Sequence, residues 1–224
     1  LNTPDKATVL DVWQESSEAV AIATEDLTEL TALSEKLSTA QYADLQFRLK
    51  HQKYAAEVWR AIKTFIWSLR AYKQGCEDCV YWARWCHDEL GRIRQAMIDD
   101  GLENVGLASP ARVAEFISNT ASQVSDVEPS EPPMALFGPV KILETTADSV
   151  RLSFSVSSAV SVSVDYGLEI PDYGQTYEAG SVDAGQTKEI TIEGLEAMKR
   201  YVIRLRAEHD GVRKLGGDYW IYTN

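Results

Sequence analysis

The sequence predicts a two-part chain of mixed class: an N-terminal antiparallel helical bundle followed by a C-terminal antiparallel β-sandwich. Apolar residues recur at helical spacing as far as about residue 125, and they alternate with polar ones after Pro139. Between the two lies a proline-rich stretch with neither period. The 224 residues suffice for two domains of ordinary size. The expected divisions are a bundle over 1–125, a linker over 126–138 and a sandwich over 139–224.

Each helix has its own signals. Thr3 with Pro4 reads as an N-cap and first-turn proline. Trp13, Val20 and Leu27 recur every seven residues, and Leu30, Leu33 and Leu37 extend that stripe. Ser38-Thr39-Ala40-Gln41 is a capping box that starts a second helix. Leu45, Leu49, Trp59, Ile62, Ile66 and Leu69 carry it to about Lys73. Gly75 breaks the pattern. A third helix places Cys76, Cys79, Ala83, Cys86, Leu90 and Met97 on one face and stops at Asp100-Gly101. Ser109-Pro110 opens a short fourth helix bearing Val113, Phe116 and Ile117. Short connections between such helices imply antiparallel packing.

The segment SDVEPSEPPMALFG holds three of the seven prolines and reads as an extended, semi-stiff linker. After it come alternating runs: Val150, Leu152 and Phe154; Val160, Val162 and Val164; Ile190 and Ile192; Tyr201, Ile203 and Leu205; Tyr219 and Ile221. Asp210-Gly211 is a two-residue hairpin signal between the last two strands.

These runs resemble a fibronectin type III domain. Pro139 precedes the first strand as in that family, SVRLSF resembles the second strand and VSVDYG the third. Phe154 stands where the family usually has tryptophan. ITIEGLEAMKRYVIRLRAE resembles the family's segment around Gly194, Leu195 and Tyr201, with Ala197 in place of a proline. The resemblance implies a sandwich in which Tyr201 is the corner tyrosine, its hydroxyl bonded to backbone just upstream. It implies a fold, not a function. The loop Glu208-His209-Asp210-Gly211 falls where some adhesion modules of the family carry RGD; that triplet is absent here.

The formal net charge of −12 disfavours nucleic acid as a partner. Charge is unevenly spread. Asp5 to Leu37 is acidic and Arg48 to Lys73 is basic, which predicts complementary packing of the first two helices or a docking face for an acidic partner. No apolar run approaches the roughly 20 residues that a membrane span needs.

The most pointed cluster is GCEDCVYWARWCHDE, with Cys76, Cys79, Cys86 and His87. Thiolates with histidine are zinc-ligand types, but one straight helix cannot surround an ion and no second CxxC exists. The readings left open are small apolar core residues, a disulfide, a metal site or a redox pair. His51, His87 and His209 are scattered, and the chain lacks GxSxG, Walker, GxGxxG and HExxH motifs.

No catalytic, cofactor or metal residue is assigned. The tryptophans of the central helices cannot all share one face, so Trp67 and Trp82 are candidate interface residues. Tyr173 and Tyr177, in the Tyr- and Gly-rich segment PDYGQTYEAG, which reads as a plain strand connection or a contact loop, and His209 join them. The function expected is that of a non-enzymatic structural or adhesion protein working through protein–protein assembly, with itself or in a larger complex. It would belong to a virion, an extracellular filament or a cell surface. The alternative is a ligand- or metal-binding sensor module that uses the bundle.

Overall fold

The computed structural model describes residues 4–102, 109–128, 135–209 and 212–224, without the side chains of 209, 212 and 213. It contains an N-terminal helical part and a C-terminal pair of antiparallel sheets, each a compact unit, with the division between Pro133 and Met134. The helices are α1 (Lys6–Ala32), α2 (Thr39–Tyr72), α3 (Cys79–Asp99) and α4 (Pro110–Thr120).

The cap of α1 differs from the expected Thr3-Pro4. Asp5 is the N-cap: its carboxylate accepts from the Thr8 N–H at 2.8 Å, and Thr8 Oγ1 accepts from the Asp5 N–H at 3.5 Å. This reciprocal box satisfies two orphan donors, so Pro4 stays outside the helix and Thr3 lies outside the described residues. The far end of α1 also stops short of the expected stripe. Leu33 is the C-cap and exposed, and Leu37 lies beyond a short 3-10 turn. The chain must reverse before Ser38, whose hydroxyl accepts from the Gln41 N–H while Gln41 Oε1 accepts from the Ser38 N–H, as the capping box predicts.

Side-chain pairings set the helices antiparallel. Late α2 meets early α1, where Lys63 Nζ lies 3.5 Å from Glu15 and Arg60 stacks 4.7 Å over the Trp13 ring. Early α2 meets the end of α3: Tyr54 donates to Asp100 at 2.7 Å and Lys50 Nζ does so at the same distance. His87 Nε2 lies 3.0 Å from Ile117 O, and Arg84 donates to Val124 O at 3.1 Å, tying α3 to the segment that holds α4. Phe65 is 2% exposed and meets the Phe116 ring edge-on at 5.4 Å. Burying a side chain of that size contributes about 1.5–3 kcal/mol. The end of α3 is closed by bonds from Gly101 N–H to Ile98 O and from Leu102 N–H to Met97 O, with Leu102 and Met97 both buried. Among the described residues no helix is long and apolar enough to cross a membrane.

The strands are β1 (Lys141–Thr145), β2 (Ser149–Ser155), β3 (Val160–Gly167), β4 (Gln175–Val182), β5 (Thr187–Glu193), β6 (Arg200–His209) and β7 (Val212–Tyr222). Two sheets form, ordered β1-β2-β5 and β4-β3-β6-β7. Val150, Leu152, Phe154 and Ile192 of the first sheet share one core with Val162, Val164, Ile203 and Leu205 of the second. The period-two pattern thus turns each strand's apolar row inward.

Two segments expected to be irregular belong to the sandwich. Leu136 and Phe137, in the expected linker, are buried in the sandwich core; Phe137 bridges Val156 and Gly138 N–H donates to Ser155 O. PDYGQTYEAG is a loop only as far as Gly174, and Gln175 begins β4. A bulge hides that strand. Val162 pairs with Gly180 while Ser163 pairs with Glu178, leaving Ala179 as the extra residue. Gly180 has φ +76°, which a side chain would resist. The β6–β7 ladder ends on His209 with Val212; the predicted turn residues Asp210 and Gly211 lie outside the described residues.

Candidate interaction surfaces

Trp67 and Trp82 sit together at one end of the helical unit. Both are half-buried, against Val9, Ala71 and Cys79. Trp82 carries Lys6 Nζ at 5.6 Å from its ring and Trp67 carries Arg70 at 5.3 Å. Cys76 and Cys79 form a disulfide beside them, while Cys86 is free and buried. Cys76 lies in the turn before α3 rather than on it, so the three sulfurs do not share a helix face. Burial pushes the Cys86 thiol pKa up. A cleft of about 310 Å³ opens between Pro4–Lys6 and Gln74–Cys76. Two of the sulfurs are bonded to each other, and His87 is held by Ile117 O. Among the described residues no three metal-type side chains come together.

The exposed tryptophan of the helices is Trp59, at 59%, not Trp67 or Trp82. Helical spacing spreads the tryptophans over more than one face, so one of them faces outward. Trp67 and Trp82 are instead half-covered by packing against Val9, Ala71 and Cys79, a tertiary contact that spacing does not encode. Trp59 lies on the side of α2 away from Tyr54, Val58 and Phe65.

The second surface is the outward row of the larger sheet. Arg200, Val202 and Arg204 on β6 pair with Tyr222, Trp220 and Asp218 on β7. Arg200 stacks 4.3 Å over the Trp220 ring, and Arg204 lies 5.3 Å over the Tyr173 ring. The Tyr173 hydroxyl donates to Asp218. Burial, then this bond to a carboxylate, raises the Tyr173 pKa above the ordinary tyrosine range. The β3–β4 loop reaches this position by crossing Gly167, where a Cβ would come within 1.7 Å of Tyr173 O. Trp220 and Tyr222 remain 42% and 65% exposed.

Of the residues singled out from sequence, Tyr173 lies on this surface. Tyr177 is in β4 and packs partly against the sandwich core. The His209 side chain is outside the described residues. Trp59, Trp220 and Tyr222 were missed. Trp59 stands fourteen residues after Leu45 and seven before Ile66, and a two-residue spacing marks the other pair.

The chain matches no protein-family model and no curated protein. Among solved structures it is similar to the sensor domain of the anti-sigma factor RsgI4 in Pseudobacteroides cellulosolvens, at 19% identity and TM-score 0.29, over 38% of this chain and 91% of that one.

Proposed function

We propose that the chain is a non-enzymatic structural or adhesion component that works through protein–protein assembly, in a virion, an extracellular filament or a cell surface. The C-terminal unit is read as a fibronectin type III-like module. Two features support that family. Seven strands divide three and four around one core, and Tyr201 Oη accepts a hydrogen bond from the Glu196 N–H at 3.0 Å. That bond is the upstream backbone contact expected of a corner tyrosine.

The observation that carries the assembly reading is the outward row of β7. Trp220 and Tyr222 stand exposed beside Arg200 on a rigid sheet. Tryptophan, tyrosine and arginine are the residues that dominate interface energetics, and a sheet presents them with little ordering cost.

Size-exclusion chromatography with light scattering tests the reading. A mass above that of one chain, rising with concentration, is expected. A single-chain mass at every concentration would count against it.

A further inference from the structure

We propose that the outward face of the α1–α2 pair seats a second copy of this chain, related by a two-fold axis that lays the basic ridge of each α2 against the acidic ridge of the other α1. The inference rests on the assembly reading above and names the partner and the surface.

The apolar part of the face is on α2. Leu45, Gln52, Trp59 and Ile66 recur every seven residues. At 100° per residue they fall within about 60° of arc. Leu45, Trp59 and Ile66 are 39%, 59% and 37% exposed. The opposite side of α2 already holds the core residues Tyr54, Val58 and Phe65. The helix is therefore apolar on two sides, and its own unit covers one. Three of the four positions in this seven-residue row are apolar, Gln52 being the exception, and an apolar row at that spacing is the pattern by which one helix packs along another.

The charges choose the occupant. Beside the stripe on α2 stand Arg48, Lys63 and Arg70. On α1 a matching seven-residue row reads Glu15, Ile22, Glu29, with Asp26 next to it and Ile22 39% exposed. The Glu15–Lys63 contact at 3.5 Å places both ridges on the same side of the pair. The face is thus a basic apolar ridge alongside an acidic one. A partner of a single charge sign would attract one ridge and repel the other. A second copy turned by a two-fold offers acid to base and base to acid, as an isologous contact requires.

Sedimentation velocity of the full chain tests this with three variants, each checked for native circular dichroism. One is Trp59→Lys. The second, Arg48→Glu with Lys63→Glu and Arg70→Glu, turns the basic ridge acidic. The third, Glu15→Lys with Asp26→Lys and Glu29→Lys, turns the acidic ridge basic. Wild type is expected to dimerise, and each variant alone to self-associate about tenfold or more weakly, as loss of a central anchor or of charge matching does. Mixing the acidic and basic variants is expected to restore a dimer containing one of each. A wild-type monomer would overturn both this inference and the assembly reading. A wild-type oligomer that Trp59→Lys leaves intact, or a variant mixture that stays monomeric, would overturn this inference alone.

Discussion

The Arg204 guanidinium and the Asp218 carboxylate are joined by two parallel hydrogen bonds, Nε to Oδ1 at 2.8 Å and Nη2 to Oδ2 at 2.7 Å, between paired residues of β6 and β7. The two side chains are each 23% exposed, and the same carboxylate accepts from the Tyr173 hydroxyl. One aspartate therefore holds a cation on the sheet and a loop across it. Asp218→Ala strands both donors and is expected to cost the sandwich about 1–3 kcal/mol, read from chemical denaturation. Removing Arg204 as well, as Arg204→Met with Asp218→Ala, is expected to cost less than the sum of the single changes.

Tyr54 and Tyr173 should ionise above the ordinary tyrosine range. Burial is the larger cause for each, followed by donation to Asp100 and Asp218 respectively. A raised folded-state pKa means that the folded chain holds the proton more tightly. The stability these groups contribute is complete below the ordinary tyrosine value of about 10 and is lost as pH rises through their higher folded values. Ultraviolet titration of phenolate absorbance is expected to show two late tyrosines that appear together with unfolding. Asp218→Asn should bring one of them earlier. Ionisation of Tyr54 and Tyr173 near the ordinary tyrosine value of about 10, with the chain still folded, would refute the assignment.

Asp100 gives the opposite sign. The Lys50 ammonium, and then the Tyr54 hydroxyl, hold its carboxyl below the usual carboxylate range. Its contribution is complete above the ordinary aspartate value of about 4 and is lost as pH falls through the lower folded value. Lys50→Met should therefore lower the urea midpoint of the helical unit at neutral pH. The gap from wild type is expected to narrow in acid, once Asp100 is protonated in both proteins.

The cysteines separate by accessibility and bonding. With Cys76 and Cys79 joined and Cys86 buried, alkylation of the native, unreduced chain is expected to add no label. Unfolding without reductant should add one label and unfolding with reductant three, counted by intact mass. Three labels without reductant would show that the Cys76–Cys79 bond is absent.

Much of the fold was legible in the sequence, for local reasons. Ser38 with Gln41 announces a helix start because its capping box closes within four residues, and Ser109 with Pro110 does so through the first-turn proline. The inward rows of β2, β3 and β6 announce themselves because one face of each is buried. β4 stayed hidden because the bulge at Ala179-Gly180 breaks the alternation that marks a strand. The site was less legible than the fold. Whether a tryptophan faces solvent depends on what packs against it, as Val9, Ala71 and Cys79 pack against Trp67 and Trp82 while Trp59 stays bare. The acidic and basic helices do lie together, yet Lys50 and Lys53 find Asp100 and Glu57 rather than α1. A charge run names a face, not a partner.

Native mass spectrometry of the intact chain over a concentration series tests the assembly claim most directly. The account expects a species at twice the single-chain mass, or a higher multiple, that grows with concentration. A spectrum holding the single chain alone, up to the highest concentration at which the protein stays dissolved, would contradict it.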